Sequence, residues 1–372
     1  MIAAGGTGGH VYPALAVVEV LQDEHPDFPI NFVGTVGGFE RPLVEKSGVN
    51  FNTYDEVQAG PIHGVNPIRM ASSLFKLGMG AIKSFGLLRR HKPDVILSTG
   101  GWVSLPVALV SWILRIPMVI FLPDIEPGLT IKVLRLLARK VAITVPESER
   151  YFRQGQTVVT GYALRKEMLL QAQNFDHEQA IAHFGLDSSK KTVLVFGGSR
   201  GARAINIGFI NILPDLLGEG VQVLHITGTL DAERCVQQVD SLGNVPTLDH
   251  YHAYAYLHED MAMAMGVADV VVCRAGASTL AEFPLFGLPA ILIPLAYSWR
   301  YQQINADYLA EKGMAIHLDE NDMNEKLLDH LQAVLHTPDK LDTMRERAFA
   351  LARSDGAKNI ADLLIQLAEK TA

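Results

Sequence analysis

Two glycine-rich turns in corresponding sequence contexts constrain the fold of this chain most strongly. The first turn is GGTGGH at residues 5–10, and the second is GGSRGAR at residues 197–203. Each follows a short apolar run, and each precedes apolar residues at helical spacing, as in Val11, Leu15 and Val18. A glycine turn between a buried strand and a helix is typical of parallel α/β sheets. The repetition predicts two such domains.

Strand-like and helix-like segments alternate along the rest of the chain, which predicts parallel strands joined by crossover helices. The predicted strands after the first turn are Ile30–Val33, Asp94–Ser98, Met118–Phe121, Val141–Thr144 and Thr157–Thr160. The predicted strands of the second series are Thr192–Phe196, Val221–Ile226, Val270–Cys273 and Ala290–Ile293.

This alternation predicts the α/β class, with two doubly wound Rossmann-like domains that face a cleft, and 372 residues suffice for two hydrophobic cores. We expect an N-terminal domain over residues 1–163, a second domain over 164–345, and a C-terminal helix over 346–372 that packs back across the junction.

Composition excludes several functional classes. The net charge of −8 argues against general nucleic-acid binding, because phosphate contacts need a basic surface. Cys235 and Cys273 lack the spacing of a zinc site or a disulfide framework. The apolar tract from 97 to 123 is interrupted by glycine, proline and arginine, so it predicts a strand, a loop, a short helix and a strand rather than a membrane span.

The N-terminus reaches Gly5 without a charged and apolar leader, so we expect no signal peptide. The first strand, Met1–Ala4, is short, which is consistent with a start upstream of Met1.

His10 is the first candidate for chemistry. Glycines at a helix start let backbone N–H groups approach a phosphate, and a histidine there is suited to act as a general base or to contact a pyrophosphate. A histidine that only caps the turn would fit the same pattern. In the second turn, Ser199 can add a hydroxyl donor, while Arg200 and Arg203 are either ligand contacts or solvated helix charges.

The segment from 270 to 282 predicts a nucleotide site. A buried strand ends at Arg274, and a helix start at Gly276–Thr279 can hold a diphosphate on its amides. Glu282 lies one turn further along, where a carboxylate can accept both hydroxyls of a ribose. Alternatively, Glu282 is an ordinary solvent-exposed glutamate on a helix and contacts no ligand.

Together these segments resemble one enzyme family over nearly the whole chain. The motifs are GGTGGHVYPALA, GGSRGAR, CRAGASTLAE, GLPAILIP and YQQINA. They are similar to the peptidoglycan N-acetylglucosaminyltransferases that convert lipid I to lipid II. The resemblance implies a GT-B fold and an inverting transfer of N-acetylglucosamine from UDP-N-acetylglucosamine to the muramyl 4-hydroxyl of the polyprenyl-diphosphate-linked acceptor. No cofactor is implied.

The resemblance also implies roles for individual residues. It places His10 beside the reaction centre. We expect His10 to be the general base and take Asp124 as the second candidate, because each could lie near the acceptor hydroxyl at the cleft. The residues implied in donor binding are Thr7, Gly8 and Gly9 beside the reaction centre, Arg165 and Ser199 near the donor, and Ala277, Ser278 and Thr279 at the diphosphate. Glu282 would hold the ribose, Gln302 would contact the sugar hydroxyls, and the backbone of His258 would contact uracil.

The acceptor side departs from the family pattern. Residues 121–124 read FLPD where better-known members carry His-Glu-Gln-Asn, and only Asp124 keeps a polar side chain. Three alternatives therefore stay open. They are a same-fold transferase with another lipid acceptor, a UDP-N-acetylglucosamine epimerase, and a non-enzymatic partner that keeps the donor site. An intact His10 and Glu282 count against the last.

Two further expectations concern metal and membrane. No Asp-x-Asp pair follows a predicted strand, so we expect transfer without a metal ion. The segment from 66 to 90 mixes large apolar side chains with lysine and arginine, which is typical of an interfacial surface at the cytoplasmic face of the cell membrane. A core helix with a basic exposed face fits that segment equally well.

Overall fold

The computed structural model describes residues 1–198, 201–257, 259–295 and 300–370. The chain divides into two compact units. Unit 1 contains residues 1–166 and 353–372, and unit 2 contains residues 167–352. The predicted domain boundaries stay predictions.

Unit 1 is built on a seven-stranded parallel sheet with the strand order β3-β2-β1-β4-β5-β6-β7. Its strands are β1 (Ile2–Ala4), β2 (Asn31–Thr35), β3 (Thr53–Val57), β4 (Ile96–Gly100), β5 (Met118–Leu122), β6 (Lys140–Ile143) and β7 (Thr157–Val159). Its first helices are α1 (Gly8–Glu24), α2 (Glu40–Lys46), α3 (Pro67–His91), α4 (Ser104–Ile113) and α5 (Leu129–Leu134).

Unit 2 repeats this plan with six parallel strands in the order β10-β9-β8-β11-β12-β13. The strands are β8 (Thr192–Phe196), β9 (Gln222–Ile226), β10 (Tyr251–Tyr254), β11 (Val270–Cys273), β12 (Ala290–Leu292) and β13 (Ala315–His317). The helices are α6 (Lys166–Gln173), α7 (His177–Phe184), α8 (Arg203–Gly218), α9 (Ala232–Ser241), α10 (Met261–Val267), α11 (Thr279–Phe286), α12 (Tyr301–Glu311), α13 (Met323–Leu335) and α14 (Pro338–Leu351).

The C-terminal helix α15 (Gly356–Glu369) returns to unit 1, where it packs on α1. Asn359 on α15 donates its side-chain amide to the carbonyl of Thr160 at 2.9 Å. Helices on both faces explain why the central strands are apolar throughout, as in β5, whose five residues are all buried. The predicted class, α/β with two doubly wound domains, is confirmed. Cys235 and Cys273 are buried free thiols.

The strand order reverses between β1 and β4 in unit 1, and between β8 and β11 in unit 2. In open parallel sheets, ligands bind beyond the carboxyl ends of the strands at such a switch point. The turns after β1 and β4 therefore mark the candidate site of unit 1. The turns after β8 and β11 mark that of unit 2.

Candidate active site

The first glycine turn joins the end of β1 to α1. Helix α1 begins at Gly8, and Thr7 is its N-cap residue with an extended backbone. The first N–H groups of a helix lack acceptors within the helix, so a turn of this kind can present them to an anion. The structure places the predicted residues Thr7, Gly8, Gly9 and His10 together at one helix start.

His10 is held by its own turn and by β4. Its Nδ1 lies 3.0 Å from the carbonyl oxygen of Gly5 and 3.3 Å from the hydroxyl of Thr7. The hydroxyl of Thr99 donates to the backbone carbonyl of His10 at 2.6 Å. Because a carbonyl oxygen only accepts, the contact with Gly5 places the ring proton on Nδ1 and leaves Nε2 as an acceptor. A general base needs this neutral form.

Burial favours this neutral form of His10, and the charge of Asp124 acts in the opposite direction. Burial lowers the pKa of His10, and the hydrogen bond to Gly5 and the charge of Asp124 oppose this shift. Asp124 follows β5 and is partly buried. The structure therefore brings the two candidate bases, His10 and Asp124, into electrostatic contact.

Gly100, at the end of β4, leaves room for the imidazole ring. A Cβ atom at this position would lie 2.8 Å from Cδ2 and 2.9 Å from Nε2 of His10, and the backbone has φ +120°. Any side chain here would strain the backbone and displace the ring. The glycine loop after β4, at residues 100–101, thus shapes the pocket of His10.

Arg165 lies in unit 1, where its guanidinium carbon is 5.0 Å from the ring centroid of Tyr12 on α1. This geometry is that of a cation–π contact. The predicted role of Arg165 at the donor stays a prediction.

In unit 2, the second glycine turn joins β8 to α8. The N–H of Gly201 donates to the carbonyl of Gly198 at 2.9 Å and closes the turn. Arg203 is exposed on the first turn of α8. The predicted donor residue Ser199 and its neighbour Arg200 lie outside the described residues, as does His258.

A buried polar network lies behind this second turn, and sequence reasoning missed it. His225 Nδ1 is 2.8 Å from the hydroxyl of Tyr251, and its Nε2 is 3.1 Å from the side-chain oxygen of Asn206. Asn206 donates in turn to the carbonyl of Thr227 at 2.8 Å. Burial lowers the pKa of His225 to about 3, so the ring is neutral. The network ties the start of α8 to the end of β9. A histidine inside an apolar strand was the available signal.

The residues predicted to contact the diphosphate lie in the turn after β11. Ser278 is the N-cap residue of α11, and Thr279 donates its hydroxyl to the carbonyl of Gly276 at 2.6 Å. Ala277 and Ser278 are partly exposed. The three predicted diphosphate contacts therefore share one helix start, beside the switch point of the second sheet.

Glu282 is oriented by this same turn. The hydroxyl of Ser278 donates to Glu282 Oε2 at 2.9 Å, and the N–H of Glu282 donates to the carbonyl of Ser278 at 2.8 Å. Burial, and then the charge of Glu282, raise the pKa of the buried Cys273 thiol. The carboxylate thus faces the end of β11, and its side chain is only partly exposed. This placement favours a ligand contact over a solvated helix glutamate.

Helix α12 supports the turn after β11. The side-chain oxygen of Gln302 accepts the N–H of Leu295 at 3.0 Å. Asn305, one turn further along α12, is fully buried and donates to the carbonyl of Ala275 at 3.2 Å. Asn305 belongs to the YQQINA motif, but the sequence alone predicted no function for it.

Arg274 serves the backbone of the same region. Its guanidinium donates to the carbonyl of Ile293 at 3.0 Å and pairs with Glu320 at 2.5 Å. This arginine therefore fixes the ends of β11 and β12 against each other. Glu320 is a second supporting residue that the sequence did not indicate.

Comparison with known proteins identifies the family. The profile of the glycosyltransferase family 28 N-terminal domain matches residues 1–143, and that of its C-terminal domain matches residues 192–360. The chain belongs to glycosyltransferase family 28. A relative from Desulforudis audaxviator is 35% identical over 100% of this chain and 98% of its own. One from Bacillus subtilis is 33% identical over 98% of each chain. Both are named UDP-N-acetylglucosamine–N-acetylmuramyl-(pentapeptide) pyrophosphoryl-undecaprenol N-acetylglucosamine transferase.

Solved structures agree with this membership. The crystal structure of Acinetobacter baumannii MurG superposes with a TM-score of 0.76 at 26% identity, over 98% of each chain. A UDP-GlcNAc 2-epimerase from Neisseria meningitidis reaches a TM-score of 0.69 at 11% identity over 98% of this chain and 99% of its own, a likeness of fold alone. The fold of the family 28 member described here is therefore GT-B, as the sequence predicted. It is an N-acetylglucosamine transferase by family.

Proposed function

We propose that this family 28 member transfers N-acetylglucosamine from UDP-N-acetylglucosamine to the muramyl 4-hydroxyl of an undecaprenyl-diphosphate-linked acceptor. The product is the lipid-linked disaccharide of peptidoglycan synthesis, lipid II. The observation that carries the proposal is the identity of 33–35% with transferases of this name over 98% or more of the chain. The site geometry of each unit supports it.

Unit 2 would bind the donor at the turn after β11. The diphosphate would lie at the start of α11, beside Ala277, Ser278 and Thr279, where the partial positive charge of the helix N-terminus stabilises it as it departs. Glu282 accepts the ribose hydroxyls, and its bond from Ser278 sets the carboxylate before UDP arrives. Gln302 contacts hydroxyls of the transferred sugar.

Unit 1 would supply the base. The acceptor hydroxyl gives its proton to His10 Nε2 as its oxygen bonds to the anomeric carbon. The bond from that carbon to the UDP oxygen breaks, and the electron pair leaves with UDP. Displacement from the face opposite UDP inverts the anomeric configuration. Asp124 stabilises the imidazolium that forms, because its charge already acts on His10 in the resting protein.

Metal-independent transfer is the first expected result. Within the described ranges, no group of three or more His, Cys, Asp and Glu side chains could hold a metal ion. Because helix amides would carry the diphosphate charge, we expect UDP release in excess EDTA to match the untreated rate. A loss of activity in EDTA that magnesium or manganese restores would contradict this.

We also propose that unit 1 binds the cytoplasmic face of the cell membrane through an apolar surface on α3 and α4. Ile68, Phe75 and Ile82 recur every seventh residue of α3 and are 84%, 70% and 70% exposed. The opposite side of α3 buries the small residues Ser73 and Gly80. Before its last two turns, which bury Leu87 and Leu88, the helix packs inward through small side chains and turns large apolar side chains to solvent. This disfavours the core-helix alternative for that part of α3.

Helix α4 extends this apolar surface, because it packs on α3 and exposes Leu109, Trp112 and Ile113. Helix α3 also carries five lysines and arginines and no acidic residue, so anionic lipid headgroups would attract it. No helix in the described part of the chain is long and apolar enough to cross a membrane.

Vesicle binding tests this surface. Phe75→Glu or Ile82→Glu should weaken binding to vesicles of anionic phospholipid by roughly 10- to 100-fold, since burying such a side chain contributes about 1.5–3 kcal/mol. Leu230→Glu is the matched control, because Leu230 is 69% exposed in unit 2. Equal binding by all three variants in a co-sedimentation assay would refute the assignment.

The reaction itself is tested by incubating the purified protein with UDP-N-acetylglucosamine, with and without the lipid-linked muramyl acceptor. We expect release of UDP only when the acceptor is present. Conversion of the donor to its 2-epimer would instead support the epimerase alternative. If UDP is released with another lipid-linked sugar but not with this acceptor, the enzyme uses a different acceptor. No release with any acceptor would favour a binding partner.

A further inference from the structure

Glu40, at the start of α2, is a fully buried carboxylate for which the proposed mechanism has no role. Its Oε2 accepts the N–H of Gly6 at 3.3 Å, and its Oε1 accepts the N–H of Thr35. An ionised carboxylate is an acceptor only, and here each oxygen meets a backbone donor. The charge therefore lies directly behind the first glycine turn.

The surroundings of Glu40 are shaped to admit a carboxyl group. A Cβ atom at Gly5 would lie 2.7 Å from Glu40 Oε1, and one at Gly34 would lie 3.2 Å from its Cγ. A Cβ atom at Gly38 would overlap the carboxylate itself. Burial, and then the charge of Glu40, raise the pKa of Tyr54. The glycine turn, strand β2 and the loop before α2 thus each place a glycine where a side chain would collide with the groups packed around the buried carboxylate.

The peptide group between Gly5 and Gly6 connects this charge to His10. Its N–H donates to Glu40, and its carbonyl oxygen lies 3.0 Å from His10 Nδ1. A peptide group with hydrogen bonds at both ends is polarised along its length, so each bond strengthens the other. A carboxylate on the N–H side makes the carbonyl oxygen a better acceptor for a ring proton.

We propose that Glu40 is a positioning residue that orients His10 through the Gly5–Gly6 peptide. It holds the ring proton on Nδ1, keeps Nε2 turned to the acceptor hydroxyl, and stabilises the imidazolium that forms. A carboxylate that contacts a catalytic histidine directly does the same in a catalytic triad. Here the peptide group transmits the effect. This inference rests on the proposed function in taking His10 as the base.

The tautomer of His10 in the wild-type protein is the first test. Long-range ¹H–¹⁵N NMR of protein labelled at histidine nitrogen assigns each ring, and His10→Gln identifies the His10 signals by their absence. We expect the proton on Nδ1. A proton on Nε2 would overturn the inference. This readout needs no transfer reaction, so it separates a failure of the inference from a failure of the proposed function.

Glu40→Gln is the second test, with Glu45→Gln as its matched control. Glu45 lies on the same helix, is exposed, and pairs with Arg41 at 2.9 Å. We expect Glu40→Gln to lower kcat about 10- to 100-fold, the range of a lost hydrogen bond to a charged group, with the donor KM within about twofold. The His10 signals should shift toward a mixture of tautomers.

Glu45→Gln should leave both measurements at their wild-type values. Wild-type kcat and an unchanged tautomer in Glu40→Gln would overturn the proposal. If thermal unfolding and UDP binding show that Glu40→Gln does not fold, the proposal is tested by the tautomer of His10 in the wild-type protein alone.

Discussion

Replacing His10 with alanine is expected to lower kcat by about 10²–10⁴-fold, the usual contribution of a general base. UDP binding, measured by calorimetry, should change little, because the proposed contacts to the diphosphate and the ribose lie in unit 2. The expected loss of kcat follows from the hydrogen bonds of His10. The contact with Gly5 places the ring proton on Nδ1, so in the proposed mechanism Nε2 is the atom that would take the acceptor proton. His25→Ala, at the other end of α1, is the control.

Asp124→Asn should produce a smaller loss of kcat than His10→Ala. The charge of Asp124 raises the pKa of His10, whereas burial lowers it. Removing the charge should therefore lower that pKa, and the acidic limb of the pH–rate profile should move to lower pH. Two groups in hydrogen-bond contact with the ring of His10, the carbonyl of Gly5 and the hydroxyl of Thr7, are neutral and do not change in this variant.

The reverse ranking of these two variants would make Asp124 the base. It would mean that the catalytic group has moved into the 121–124 loop. Small effects in both variants would leave the acceptor hydroxyl without a base, and would favour another acceptor or another reaction.

The second large effect concerns donor affinity. Glu282→Ala should raise the donor KM by roughly 10- to 100-fold, because it leaves buried ribose hydroxyls and the hydroxyl of Ser278 without their charged acceptor. The value of kcat should fall much less, since the proposed contact of Glu282 is with the ribose of the nucleotide and not with the reacting atoms. Glu282→Gln keeps the shape of the side chain and one acceptor oxygen, so its donor KM should lie between those of Glu282→Ala and the wild type.

Glu325→Ala is the control for this prediction, because Glu325 is an exposed glutamate on α13 of the same unit. Steady-state kinetics with varied UDP-N-acetylglucosamine provide the measurement. If Glu282→Ala and Glu325→Ala give the same donor KM, Glu282 is an ordinary helix glutamate.

The sequence predicted the central strands well and missed strands at the sheet edges. Strands β8 and β11 match their predicted bounds, because strands covered on both faces are apolar throughout. The missed strands are β3, β10 and β13, and each forms the edge of its sheet. An edge strand pairs on one side only. Its residues, such as TYDEV in β3, give no continuous apolar signal.

Site residues close together in sequence were predictable, and those joined across the fold were not. Ser278 and Glu282 lie four residues apart on one helix, so their contact follows from helical spacing. Glu40 reaches Gly6 across 34 residues, and His225 reaches Asn206 across 19. Both contacts depend on the strand order, which brings the end of β2 beside β1 and that of β9 beside β8.

The anomeric configuration of the product tests the central claim most directly. Purified protein would be given UDP-N-acetylglucosamine labelled with ¹³C at the anomeric carbon together with the lipid-linked muramyl acceptor, and the product would be examined by NMR. We predict one new disaccharide, joined at the muramyl 4-hydroxyl with the anomeric configuration inverted relative to the donor. A retained configuration, or label found only in free sugar or in an epimerised donor, would contradict the account.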